Sequence, residues 1–135
     1  MKKLKILAIS VLFISVCGSV FSSESSIYFS RAQKAAQSGQ IDFAFMDYQN
    51  VLRNNPIPRQ AEYAFFASGD YSYLMMDYKA AKKYFAEYLN KYPNASGKLF
   101  ALSYLKRIAA IESDAKLVDE LNKEILTCKN HGYIF

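Results

Sequence analysis

The feature that most constrains this chain is an internal echo. Ala44, Tyr48, Val51, Leu52 and Pro56 recur as Ala81, Phe85, Tyr88, Leu89 and Pro93, each displaced by 37 residues. A small, aromatic, apolar and proline pattern repeating at this distance points to stacked helical hairpins. A unit of that size holds two helices and a turn, and it buries its apolar faces only against its neighbours. In each copy the alanine lets one helix press close on its partner, and the aromatic one turn later fills the gap between them.

Around the echo the chain reads as helix after helix from Ser26 to about Cys128, with no alternating strand. A helix over Ile27 to Gln37 is closed by Ser38 and Gly39, since glycine readily ends a helix in the left-handed region. Ile41 to Asn54 follows and is stopped by Pro56 and Pro58. Arg59 to Met75, Tyr78 to Lys91, Ser96 to Ile111, and Asp114 to Thr127 with Ser113 as N-cap complete the series. The apolar stripes alone would fit an unrelated six-helix bundle equally well.

With these residues in place the chain resembles the tetratricopeptide repeat family, whose unit is a helix-turn-helix with small and aromatic residues at fixed intervals and proline near its end. A first unit from about Ser25 to Pro58 offers Tyr28, Ala32 and Ala35, then Gly39 in the turn, then Ala44, Tyr48 and Leu52. A second, from about Glu62 to Ala95, offers Phe65, Gly69 and Ser72, then Asp77 and Tyr78, then Ala81, Phe85 and Leu89. Ala32 and Gly69 stand where the family keeps a small residue so that its two helices can approach. A third unit departs from the pattern: Ala115 lies 34 residues after Ala81, but Asp119 occupies the aromatic position and no proline follows. Ser113 to Cys128 therefore reads as a degenerate capping helix. The resemblance implies an all-α fold, a short right-handed α-solenoid of antiparallel hairpins over residues 23–128. It further implies a concave groove for a protein or peptide, with Tyr28, Arg31, Lys34, Tyr63, Phe66, Asp70 and Tyr73 as the lining and Pro56 and Pro93 closing the units.

The first 22 residues have a different character. Lys2, Lys3 and Lys5 precede an apolar run from Ile6 to Val16, and small and polar residues follow, the order of a secretory signal. Cleavage after Ser19 or Ser22 fits that reading, and retention of the run as an anchor is the alternative. Ile14-Ser15-Val16-Cys17 also resembles a bacterial lipobox, with Val16 where that motif carries a smaller residue. Cys17 is thus either a lipidation site or a plain cysteine of the signal core. The expectation is an exported protein of a bacterial envelope, periplasmic or secreted, reaching a membrane only through this signal or a lipidated Cys17. A tail over residues 129–135 closes the chain.

The formal charge of +5 does not mark a nucleic-acid binder. Setting aside Lys2, Lys3 and Lys5 leaves 14 basic against 12 acidic side chains, a near balance. Lys79, Lys82, Lys83 and Lys91 form only a small patch. The single histidine, His131, allows no triad and no two-histidine metal site. The glycines are scattered, so no phosphate loop forms. Asp70 with Asp77, and Asp42 with Asp47, read as caps and solvated surface before they read as acid-base pairs. No cofactor is implied, and the expectation is a non-catalytic scaffold or adaptor. The alternatives are a self-associating homo-oligomer, such as a homodimer that completes its own short stack, and a membrane-anchored lipoprotein subunit of an envelope assembly complex.

Overall fold

A computed structural model describes residues 23–130, and within them the chain is helical throughout apart from short connections. Six helices follow one another: α1 (Glu24–Gln37), α2 (Ile41–Arg53), α3 (Pro58–Leu74), α4 (Tyr78–Lys91), α5 (Lys98–Ile111) and α6 (Ala115–Asn130). Their starts have identifiable causes. The Ser23 hydroxyl accepts from the Ser26 amide, Asp77 accepts from the Ala80 amide at 3.0 Å, and Pro58 opens α3 at the first helical position, where no amide proton is needed. The expected bounds of α4 are met, whereas α1 begins at Glu24 rather than Ile27. The segment over residues 1–22, Cys17 within it, and the tail from His131 onward lie outside the described residues.

The turns inside the hairpins are copies of one another. Gly39, Met76 and Ser113 each adopt left-handed backbone, with φ of 70°, 62° and 61°, and successive members are 37 residues apart. In each turn the following residue donates its amide five residues back, from Gln40 to Ala35, Asp77 to Ser72 and Asp114 to Ala109, at 2.9 Å in every case. This is the Schellman closure of a helix C-terminus. Two expectations are corrected by it. Ser113 is not the N-cap of α6 but the left-handed residue before it, and Asp114 supplies the cap by accepting from the Leu117 amide at 3.0 Å. The third hairpin also keeps the 37-residue spacing, so Val118, not Ala115, corresponds to Ala81.

Each helix packs on the one before and the one after it, and α1 also touches α3. The α3–α4 pair runs antiparallel: Tyr73 meets Tyr78 at the turn, Phe66 meets Phe85 and Tyr88 farther along, and Phe65 meets Tyr92 near the far end. Midway, Gly69 faces Phe85 so closely that a Cβ added there would lie 2.8 Å from the ring. Phe85 is fully buried and stacks on Tyr104 of α5 with ring centroids 4.7 Å apart. Burying such a ring contributes about 1.5–3 kcal/mol. The equivalent positions in the first hairpin are Ala32 and Tyr48, both fully buried. In the last hairpin they are Lys106 and Asn122, which are half-buried and joined by a 3.2 Å hydrogen bond from Nζ to Oδ1.

The core has two parts that meet at α3. Ala64 and Ala67 join Ala32, Ala44, Tyr48 and Val51 on one side, while Phe65, Phe66 and Tyr73 pack against the cluster built on Phe85, Tyr88, Leu102, Leu105 and Ile108 on the other. Polar bridges tie the hairpins together. The Gln49 amide donates to Ser68 at 2.9 Å while its oxygen accepts from the Tyr84 hydroxyl at 2.8 Å. Of the described residues, no helix is long and apolar enough to cross a membrane.

Candidate functional site

The first turns of α1 and α3 are tied together: Ser25 donates to Gln60 Oε1 at 3.4 Å, and Gln60 Nε2 donates to Ser26 at 3.2 Å. Beyond this tie the two helices and the start of α5 enclose a groove of about 610 Å³. Phe29 and Gln33 form one wall, Ile57, Tyr63 and Phe66 the other, and the Ser96–Gly97 backbone closes the end. The volume is in the range of a ligand site. Aromatic edges meet along it, Phe29 with Tyr63 at 5.5 Å and Phe66 with Tyr88 at 5.4 Å. Ile57 and Tyr63 are 56% and 51% exposed, so apolar surface is left facing water there.

The groove also carries charge. Tyr88, buried at its floor, donates a long 3.5 Å hydrogen bond to Glu62 Oε1. Burial and then the Glu62 charge push the Tyr88 hydroxyl up to about 12. Gly97 fits because a Cβ there would fall 2.5 Å from the Tyr88 hydroxyl oxygen. Arg59 stands exposed at the rim, on the first turn of α3.

The seven residues expected to line one groove fall in three places. Tyr63 and Phe66 line the groove just described. Arg31 and Lys34 lie on a shallower depression of about 270 Å³ beside Phe43. There Arg31 reaches Asp47 at 3.2 Å and lies over the Tyr28 ring at 5.5 Å. Asp70 and Tyr73 belong to the α3–α5 junction, where Asp70 accepts from the Tyr104 hydroxyl at 2.5 Å and Tyr73 packs between Tyr78 and Tyr104. Sequence reasoning passed over Phe29, Gln33, Glu62 and Gly97. The signal for one of them is present in the repeat, because Phe29 lies 37 residues before Phe66.

The packing residues are placed more uniformly. Ala32, Ala44, Tyr48, Ala81 and Phe85 are fully buried, Gly69 is buried, Leu52 and Leu89 are half-buried, and Pro56 and Pro93 sit in the connections between hairpins. Of the lysine patch, Lys82 pairs with Glu112 at 2.6 Å and Lys91 with Glu87 at 3.3 Å, which neutralises half of it. Asp77 is a helix cap and Asp47 an ion-pair partner. No group of three His, Cys, Asp or Glu side chains could hold a metal ion among the described residues. Compared with protein-family models, curated proteins and solved structures, the chain matches none.

Proposed function

We propose that this chain is a tetratricopeptide-like scaffold of a bacterial cell envelope, a short right-handed α-solenoid that binds a protein or peptide and performs no catalysis. One observation carries the reading. The groove is walled by the first helices of successive hairpins and holds half-exposed aromatics that pack tightly on one another, the kind of surface that anchors a partner segment. Export rests on the basic and apolar order of residues 1–22, and lipidation of Cys17 would add a membrane anchor.

The test is photo-crosslinking in the native cells, with a photoreactive amino acid at Tyr63 and, as a control, at Lys116, an exposed residue of α6 that does not line the groove. The expected result is a discrete adduct at Tyr63 that Lys116 does not give. Equal labelling at the two positions, or none at Tyr63, refutes the reading.

Self-association is a second reading, favoured by the outer face of the first hairpin. Phe43 and Met46 are 62% and 58% exposed there, and Ile27 lies one turn before Arg31 with half its surface in water. Sedimentation across a concentration series separates the two readings, since only the second requires a mass that grows with concentration.

A further inference from the structure

Glu62 is the one half-buried carboxylate of the groove, and among the described residues it has no ion pair. Tyr88 satisfies it only through a 3.5 Å contact on Oε1, which leaves most of the acceptor capacity of the carboxylate unused. A carboxylate with acceptor capacity to spare is a ready partner for a cationic group, whose hydrogen bonds to it are charge-assisted. The surroundings favour a cation. Phe29, Tyr63 and Phe66 line the same space, and the face of an aromatic ring attracts positive charge. Arg59 does not argue for the opposite sign: it is exposed, so it is solvated whether or not a ligand is present.

Resting on the groove reading above, we propose that the bound segment is an extended peptide anchored by one basic side chain, lysine or arginine, seated among Phe29, Tyr63 and Phe66 with its charge on Glu62. The backbone of the peptide then runs along the apolar lip made by Ile57 and Tyr63. The groove selects for positive charge at one position and tolerates variety elsewhere.

The experiment uses the protein as its cells process it and three acetylated, amidated peptides of the form Gly-Ser-Leu-X-Leu-Ser-Gly, with X as lysine, glutamate or norleucine. Binding is followed by NMR through the Gly97 amide, which lies at the groove's end. The lysine peptide is expected to shift this resonance and to bind at least about tenfold more tightly than the other two, the size of one desolvated cation–π and charge contact. Glu62→Gln should remove that preference, while Glu87→Gln on α4 should keep it; melting curves verify that both variants fold. Equal binding of the three peptides, a glutamate preference, or a lysine preference that survives Glu62→Gln overturns the cation anchor and leaves the groove reading standing. No shift at Gly97 with any peptide up to millimolar concentration also overturns the anchor, and the crosslink at Tyr63 then decides separately whether the groove binds a partner.

Discussion

Gly69→Ala tests the close contact between α3 and the Phe85 ring of α4, and two opposing effects set its size. Alanine is favoured over glycine inside a helix by about 1 kcal/mol, so the substitution should stabilise if nothing stood in the way. The new methyl group, however, would meet three atoms of the Phe85 ring at 2.8, 2.9 and 3.0 Å. That ring cannot retreat freely, being fully buried, stacked on Tyr104 at 4.7 Å and edged by Phe66 at 5.7 Å. Overpacking of this kind costs about 1–3 kcal/mol, so the net expectation is destabilisation of up to about 2 kcal/mol. For a domain of this size each kcal/mol lowers Tm by roughly 4–8 °C. The assay is urea unfolding of four proteins: parent, Gly69→Ala, Phe85→Leu, and both together. In the Phe85→Leu background the obstructing ring edge is gone, and the alanine should become neutral or stabilising. A Gly69→Ala protein that is more stable than the parent, or an alanine effect identical in both backgrounds, would refute the reasoning.

The left-handed turns give a matched pair: Met76→Gly should stabilise by about 0.5–1 kcal/mol, because methionine is held at φ 62° where glycine is unstrained. Gly39→Ala should destabilise by about 1 kcal/mol although nothing among the described residues lies within 4 Å of the added Cβ, which isolates the backbone effect; chemical denaturation reads both. Two tyrosines should respond oppositely to loss of their hydroxyls. Tyr48→Phe removes a buried hydroxyl that has no hydrogen-bond partner within hydrogen-bond distance among the described residues and should leave stability unchanged or raise it by up to about 1 kcal/mol. Tyr104→Phe abandons Asp70 and should cost about 1.5–3 kcal/mol, with urea midpoints deciding both cases. Burial, followed by the bond to Asp70, pushes Tyr104 up to about 12, and burial first does the same for Tyr88. The unfolded chain releases these protons near pH 10 and so binds fewer of them above it; stability is therefore full below pH 10 and is lost between about 10 and 12. Urea midpoints against pH, followed with phenolate absorbance, check this, and Tyr104→Phe should flatten the decline.

Much of the helical pattern is legible in the residues. Asp77 and Pro93 bracket α4 and place both of its ends, because a cap and a breaker are local chemistry. The third hairpin is harder to register. Its turn uses Ser113, and the second uses Met76, where only Gly39 carries the mark of left-handed backbone. Without those turns, Ala115 is an attractive match to Ala81, and the correspondence slips by three residues. The groove is legible at Tyr63 and Phe66, but the residue facing them from α1 is Phe29 rather than the expected Tyr28. One residue along a helix turns a side chain by about 100°, enough to move it from one face to another. Gly97 could not be assigned its role from its neighbours in sequence. Its reason is the Tyr88 hydroxyl, which arrives from another helix.

The three hairpins are keyed with different chemistry at the same place: alanine against tyrosine, glycine against phenylalanine, and lysine against asparagine. The first two keys are dry, and their strength comes from displaced water and close contact. The third is a half-buried polar bond that water can replace at little loss. Where each element leans mainly on its neighbours, such a difference sets an order of opening. On this ground the α5–α6 hairpin is expected to open first and the amides of α3 and α4 to exchange last, an order that native-state hydrogen exchange reads directly.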